Sequence, residues 1–318
     1  MNEIYVSVDE EQERARVAWL YFIGGQTQQE IAQRLNITRL KVNKTIRQVR
    51  ESGQIQIEVS LPLIDCIELA DRISARYGLI GAMVVPDLDD YLEQKRVIGE
   101  AAAKLAGELI SGKDLGIGVA SGRTLSFAAR SIRARPKAES WVVGLTGGIT
   151  SGSVTNTFEV ATDFARLLGI ECHYLTAPIY CANRESRNAL LLSDELTDVL
   201  ARAEIADIGL MSCSSINSDT SLTNIRVVKD NLDTLLSLGA VGELLGYFLD
   251  AHGNLVDHFL NTSTIALPLD KLKLKPTSIL VSGGNEKIPI IRSILRGGYV
   301  NRLVTNESVA RALLQGPR

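Results

Sequence analysis

The sequence predicts an α/β protein: a small N-terminal helical module followed by a large Rossmann-like α/β body. Three observations carry that expectation. From about residue 63 onward, short apolar runs alternate with helix-compatible stretches, the pattern of a mainly parallel sheet covered on both faces. Residues 11–52 instead read as consecutive helices. The charge is also unevenly shared: the net charge is −3, yet Arg34, Arg39, Lys41, Lys44, Arg47 and Arg50 fall in a stretch, 34–50, that holds no acid. A small basic module on a neutral-to-acidic body fits that asymmetry.

The 318 residues are 45% hydrophobic, 22% charged and 5% aromatic, enough for a large core or two domains. We place the expected boundary between a domain over 1–60 and a second over 61–318. No apolar run approaches the ~20 residues of a membrane span, and acids precede the first apolar cluster, so neither a signal peptide nor a membrane partner is expected. Cys66, Cys172, Cys181 and Cys213 show no CxxC spacing and only three histidines are present. The expectations are therefore no metal site, no cofactor, reduced thiols and a cytoplasmic location.

The first helix, about 10–23, carries Val17, Ala18, Leu20, Tyr21 and Phe22 and stops at Gly24-Gly25. Thr27 and Glu30 form a capping-box signature ahead of Ile31, Ala32 and Leu35. Thr38 then caps a helix to about Ser52, with Val42, Ile46 and Val49 on one face. Gly53 ends it, "QIQIEV" alternates like a short strand, and Pro62 marks the exit. Beyond it, "DCIELADRISARYG" reads as an amphipathic helix and "LIGAMVVP" as a buried strand. A helix over 91–111 precedes a strand over 115–119. Further strands are expected at 141–145, 205–211 and 278–282. Helices are expected around 157–168, 185–202, 230–238 and 286–296.

Two short helices joined by a tight turn, the second one basic, have the form of a helix-turn-helix. If Ile31, Leu35, Ile37, Val42, Ile46 and Val49 hold the helices together, Arg39, Lys41, Asn43, Lys44 and Arg47 project from the second. Its first turns are what enters the major groove in this motif. Arg39 suits guanine and Asn43 adenine, while Gln28, Lys44, Arg47 and Arg50 suit phosphates. A charged helix face is ordinarily just solvated. Here two caps, a turn and an acid-free basic run coincide in one short module, which favours double-stranded DNA as partner.

Four small-residue loops follow expected strands: "ASGRT" after 115–119, "TGG" at 146–148, "SCSS" at 212–215 and "SGGNEK" at 282–287. Ligands of open α/β sheets bind outside the carboxyl ends of the strands, and helix N-termini behind small residues favour anions. Glycine after a strand most often merely makes a turn, so repetition carries the argument. Arg123 and Lys287 would supply charge on the common rim, and Ser121 and Thr124 hydroxyls. Neither a G-x-x-x-x-G-K-[ST] loop nor a G-x-G-x-x-G helix start is present; Gly116 and Gly118 lie within a strand pattern.

With both halves read, the chain resembles the SorC/DeoR-type transcriptional regulators with a C-terminal sugar-binding domain. The resemblance rests on "YFIGGQTQQEIAQRLNITRLKVNKTIRQVRESGQIQIEV" and on an ordered series. That series is "GIGVASGRTL", "NTFEVATDFARLLG" leading to "LTAPIY", "ADIGLMS", "GAVGELLGYFLDAHG" and "SILVSGGNEKIPIIRSILRGGYVNRLVTNESVARALL". It implies a second domain with the fold of sugar-phosphate isomerases and deaminases, binding a sugar, polyol or sugar phosphate. It also implies homo-oligomers, dimers or tetramers, on operator DNA, regulating carbohydrate or polyol catabolism, most simply as a repressor. Carried over by motif, effector contacts fall on Ser121, Gly122, Arg123 and Thr124, on Gly147, Gly148, Asn156 and Glu243, and on Gly283, Gly284 and Lys287. For Glu243 the competing reading is a helix position facing solvent.

The rival hypothesis is a sugar-phosphate isomerase or deaminase with an accessory DNA-binding module. Such chemistry needs a positioned acid and base. In the related deaminases the strand comparable to "IADIGLM" leads to a loop with Asp and a catalytic His, whereas "SCSSINSD" follows here. His173, His252 and His258 read as ordinary surface or core residues. The expectation is a sensor and no enzyme.

Overall fold

The computed structural model describes residues 8–55, 64–149, 155–217 and 224–315. The chain forms two compact units, Met1–Leu61 and Pro62–Arg318. Among the described residues no helix is long and apolar enough to cross a membrane.

The N-terminal unit holds α1 (Val8–Phe22), α2 (Gln28–Leu35) and α3 (Arg39–Glu51). Thr27 and Glu30 close the expected capping box: the Glu30 N–H donates to Thr27 Oγ1 at 3.3 Å, and the Thr27 N–H to Glu30 Oε2 at 2.7 Å. The Thr27 N–H and the Thr27 hydroxyl both donate to Glu30 Oε2, and these bonds hold the Glu30 carboxyl below its usual range. Asn36 ends α2 in the left-handed region (φ 53°), which its short polar side chain tolerates. Thr38 starts α3 by accepting from the Lys41 N–H at 3.1 Å. Val17, Leu20, Ile31, Ala32, Val42 and Ile46 form the buried core, edged by Leu35 and Ile37, and Val49 is buried as well. Of the expected strand over 54–59, Gln54 and Ile55 adopt none; residues 56–59 and Pro62 lie outside the described residues.

The second unit opens with α4 (Ile64–Tyr77), β1 (Gly81–Val85), α5 (Tyr91–Ile110), β2 (Gly116–Val119), α6 (Arg123–Ser131) and β3 (Trp141–Gly144). It continues through α7 (Thr157–Leu168), β4 (Glu171–His173), α8 (Arg184–Leu190), α9 (Asp194–Ile205), β5 (Ile208–Met211) and β6 (Cys213–Ser215). Then come α10 (Arg226–Lys229), α11 (Leu232–Ser237), β7 (Ala240–Leu244), β8 (Tyr247–Asp250), α12 (Phe259–Ser263) and α13 (Leu269–Lys273). The last part holds β9 (Thr277–Val281), a 3-10 turn at Asn285–Lys287, α14 (Ile288–Arg296), β10 (Arg302–Asn306) and α15 (Glu307–Gln315).

Seven strands form one sheet in the order β1-β10-β9-β5-β2-β3-β4, and every pairing in it is parallel. From β2 the chain steps outward through β3 to β4; from β5 it steps the other way through β9 to β10. The order therefore reverses between β2 and β5, where open α/β sheets bind ligands beyond the strand ends. β2, β5 and the greater part of β9 and β10 are buried, as helices on both faces require. β6, β7 and β8 form a separate antiparallel sheet.

Several expectations need correction. The helix read over 185–202 is two, broken at Leu191–Ser193, and the one over 230–238 begins at Leu232 with short α10 before it. Glu243 sits on a strand, β7, and is buried, so the solvent-facing helix reading fails. β4, β6, β7, β8 and β10 are strands that the sequence reading does not give. Gly116 and Gly118 belong to β2 because no side chain fits there: a Cβ would run into the Trp141 ring at one and Leu145 at the other.

Candidate functional site

A cavity of about 280 Å³ opens beyond the carboxyl ends of β2, β3, β5 and β9. Its floor is the start of α6. Gly122 takes φ 133°, a region that only glycine adopts readily, and its N–H donates to Thr155 O at 2.9 Å. The turn leaves Ser121, Arg123 and Thr124 on the cavity. The leading N–H groups of α6 have no partner within the helix, and its dipole adds positive potential. Phosphate and carboxylate groups suit such an end.

Lys287 reaches the cavity from the 3-10 turn after β9. It is only 5% exposed, which is unusual for a lysine. Two lining residues from α5, Tyr91 and Lys95, were not anticipated from the sequence. They precede no glycine loop, and their helix reads as an ordinary amphipathic one. Lys95 is pushed down to about 8, first by burial and then by Lys287 and Arg123; Glu286 opposes the shift. Among the described residues, no carboxylate lies within 4 Å of Lys95, Arg123 or Lys287.

Glu243 supplies the one carboxylate among the described lining residues. Burial raises its pKa, against hydrogen bonds from the Gly246 N–H and Ser214 and the field of Lys287. It is locked by the turn that follows it. Leu245 (φ 53°) and Gly246 (φ 83°) join β7 to β8 in a two-residue hairpin with both φ values positive, the geometry whose twist matches antiparallel strands. A leucine there is strained. Glu243 Oε2 accepts from the Gly246 N–H at 2.9 Å, and the Tyr180 hydroxyl donates to Gly246 O at 2.7 Å. These bonds hold the strained turn, and Leu245 and Gly246 both line the cavity.

The cavity thus gathers Ser121, Gly122, Arg123, Thr124, Glu243 and Lys287 from the residues singled out in the sequence, and not Gly147, Gly148, Asn156, Gly283 or Gly284. Gly147 and Gly148 donate their N–H groups to Ile265 O and Ala177 O, and a side chain on Gly148 would strike Phe158. Their neighbour Thr146 lines the cavity instead. Asn156 is buried at the start of α7 with Nδ2 on Ile149 O at 3.0 Å; next to it, Thr155 reaches the cavity. Gly283 packs on Asn306 and Ile98, and Gly284 donates to Asn306 Oδ1 at 3.2 Å. These glycines set the loop that delivers Lys287. In the first two of these loops the cavity lining comes from a neighbour of the residue singled out, and in the third from Lys287, which was singled out itself. No histidine lines the cavity among the described residues, and no three metal-ligating side chains gather. His173 stacks edge-on with Trp141, and His258 accepts the Leu260 N–H at the start of α12.

In the N-terminal unit, Arg39, Lys41, Asn43, Lys44 and Arg47 share the exposed side of α3, while Gln28 is half-buried at the start of α2. Lys41 pairs with Glu13 of α1 at 2.7 Å and Arg47 with Glu51 at 2.9 Å. Both pairs are exposed, so each is worth little in water and can be exchanged for phosphate. Arg50, by contrast, lies over the Phe22 ring at 5.6 Å. Leu40 was passed over in the sequence and is 80% exposed beside Arg39.

The family model described as "Putative sugar-binding domain" matches residues 61–315. The whole chain is similar to the transcriptional regulator LsrR of Escherichia coli (strain K12): 30% identical over 314 residues, spanning 96% of this chain and 95% of LsrR. It is also similar to the erythritol catabolism regulatory protein EryD of Brucella abortus, 27% identical over 304 residues that cover 95% and 96% of the two chains. Among solved structures, the full-length sorbitol operon regulator SorC from Klebsiella pneumoniae aligns with a TM-score of 0.74 at 25% identity, covering 96% of this chain and all of that one.

Proposed function

The chain belongs to the SorC-type family of transcriptional regulators with a sugar-binding domain, and we propose that it is a DNA-binding regulator of a carbohydrate or polyol catabolism operon. Its effector is a sugar, polyol or sugar phosphate held in the cavity of the α/β unit. One observation carries the effector assignment: Lys95, Arg123 and Lys287 line one cavity with no carboxylate partner among the described residues. Three cations lining a cavity with one carboxylate favour an anionic ligand. Thr146, Thr155 and Glu243 line the same cavity and can take up hydroxyls.

α2, the turn at Asn36–Thr38 and α3 act as a helix-turn-helix, with α3 in the major groove. Arg39 and Asn43 read base edges, and Leu40 is suited to a thymine methyl. Gln28, Lys41, Lys44 and Arg47 hold phosphates. Homo-oligomers, dimers or tetramers, bring pairs of α3 helices to half-sites roughly 34–36 Å apart or a multiple of it. The effector shifts operator affinity to the extent that it binds the two assembly states unequally, and the simplest outcome is release of a repressor. The protein works in the cytoplasm. Domain 1–60 binds DNA; domain 61–318 senses and assembles, on the scaffold of sugar-phosphate isomerases and deaminases.

It is no enzyme on this reading. Glu243 is the one carboxylate among the described lining residues, and it accepts a structural hydrogen bond from the turn. The deciding experiment is a thermal-shift screen of sugars, polyols and their phosphates, with product analysis and an operator-binding assay on every hit. A ligand at 100 times its Kd adds about 2.7 kcal/mol to the folded state and should change operator binding. Turnover of any hit would overturn the sensor reading, and hits that leave operator binding unmoved would overturn the regulatory one.

A further inference from the structure

α5 brings Tyr91 and Lys95 to the cavity four residues apart, on one face of the helix. The Lys95 ammonium lies 3.8 Å from the centre of the Tyr91 ring, a cation–π contact. The Tyr91 hydroxyl donates to Glu286 Oε1 at 2.8 Å. The ring is thereby tied to the same 3-10 turn that delivers Lys287, and Lys95 is held toward the other two cations rather than left to wander in solvent. The charges of Lys287 and Arg123 oppose that of Lys95, and the field of Glu286 and the Tyr91 ring only partly offset them. An anion placed between the three cations would relieve their mutual opposition.

We propose that Lys95 is a third anion-binding cation of the cavity, positioned by Tyr91, and that with Arg123 and Lys287 it receives a dianionic group of the effector, a phosphate monoester. The inference rests on the effector-cavity reading above and adds to it a third cation and the residue that positions it. It also makes effector affinity pH-dependent. The groups facing Lys95 are Tyr91 on its own helix, Arg123 at the start of α6, and Lys287 and Glu286 from the 3-10 turn. Without ligand, Lys95 gives up its proton near pH 8. A bound dianion favours the charged form, so binding above that pH must draw a proton back, and affinity falls as pH rises.

Inorganic sulfate is the probe, because its charge stays at −2 where phosphate titrates. Its binding to the full-length protein is measured by calorimetry at fixed ionic strength from about pH 6.5 to about 9.5, with melting in sulfate-free buffer as the folding control. For the wild type, affinity should be level below neutrality and fall by up to about tenfold per unit above pH 8. Lys95→Met should bind about tenfold or more weakly at neutral pH and lose the fall. Tyr91→Phe should keep both, and Tyr91→Ala should weaken binding. If Lys95→Met binds like the wild type with the same pH profile while Lys287→Met does not bind, the third cation is refuted and the cavity reading stands. If sulfate fails on the wild type while a neutral polyol still raises its melting temperature, the dianion site is refuted and the cavity reading again survives. If Lys95→Met and Lys287→Met both leave sulfate binding unchanged, the cavity assignment fails as well.

Discussion

On α3, Arg39, Lys41, Lys44 and Arg47 stand in solvent, and Lys41 and Arg47 already have half-exposed carboxylate partners. In the α/β unit, Lys287 is buried and Lys95 half-buried, and neither has a carboxylate within 4 Å among the described residues. The first arrangement is cheap to fold and weak per contact; against DNA, the partner proposed for it, its strength would come from the number of phosphates met and be lost steeply in salt. The second is costly to fold, since burial disfavours each charge and each opposes the next. It concentrates affinity in a few groups that salt screens poorly. A surface built by composition and a cavity built by burial should therefore fail differently when mutated.

The largest effect expected is at the cavity. Lys287→Met removes a buried cation facing the effector, and a charge-assisted contact of that kind is worth about 1.5–3 kcal/mol. Effector affinity should drop roughly 10- to 150-fold, while operator binding without effector stays at the wild-type level. Calorimetry and gel shift on the same preparation check both halves. Equal losses in the two assays would erase the distinction between cavity and surface.

Next comes the α3 face. Arg39→Ala should cost about 1–3 kcal/mol of operator affinity and relax the preference at one base position. Lys44→Ala should weaken all sequences alike and lower the salt slope by about 1. Neither should change the effector Kd. Thr38→Ala acts one step back: it deletes the cap that accepts the Lys41 N–H, at about 1 kcal/mol of helix stability. Operator affinity should fall modestly with unchanged specificity, measured by selection from randomised DNA.

The same contrast explains what could be read from the sequence. The caps at Thr27 and Thr38 and the apolar positions of α2 and α3 obey local rules, since each depends on residues three or four apart. The Arg123 loop and Lys287 were legible for a related reason, because small residues after an apolar run announce a turn. Lys95 and Tyr91 were not. Their helix carries no local sign of what it faces; only the order of strands, which reverses beside β2, brings α5 over the site. β6, β7 and β8 escaped for a different reason. Their burial leaves no polar alternation to betray strands, and the "ELLG" turn hides a strained leucine where Asn or Gly is expected. The glycines carry a different signal: Gly147, Gly148 and Gly283 are closely packed on their neighbours.

The smallest expected effect concerns Glu243, and its sign separates the two kinds of site. Burial raises the folded-state pKa of this carboxyl above the ordinary 4.5. Between that value and the raised one the folded protein binds more protons than the unfolded chain. Stability contributed by the protonated form is therefore present at low pH and declines as pH climbs through the window. An exposed acid such as Glu30, whose pKa is lowered, leans the opposite way: its contribution is lost as pH falls. Glu243→Gln keeps an oxygen to accept from the Gly246 N–H and removes the titration. Denaturant unfolding of this variant should accordingly show a shallower loss of stability with rising pH from about 4.5 than the wild type. An identical slope in the two proteins would mean that the Glu243 carboxylate is already stabilised as fully in the cavity as in water, and the cavity would then lack the low-dielectric character that sets it apart from the α3 surface.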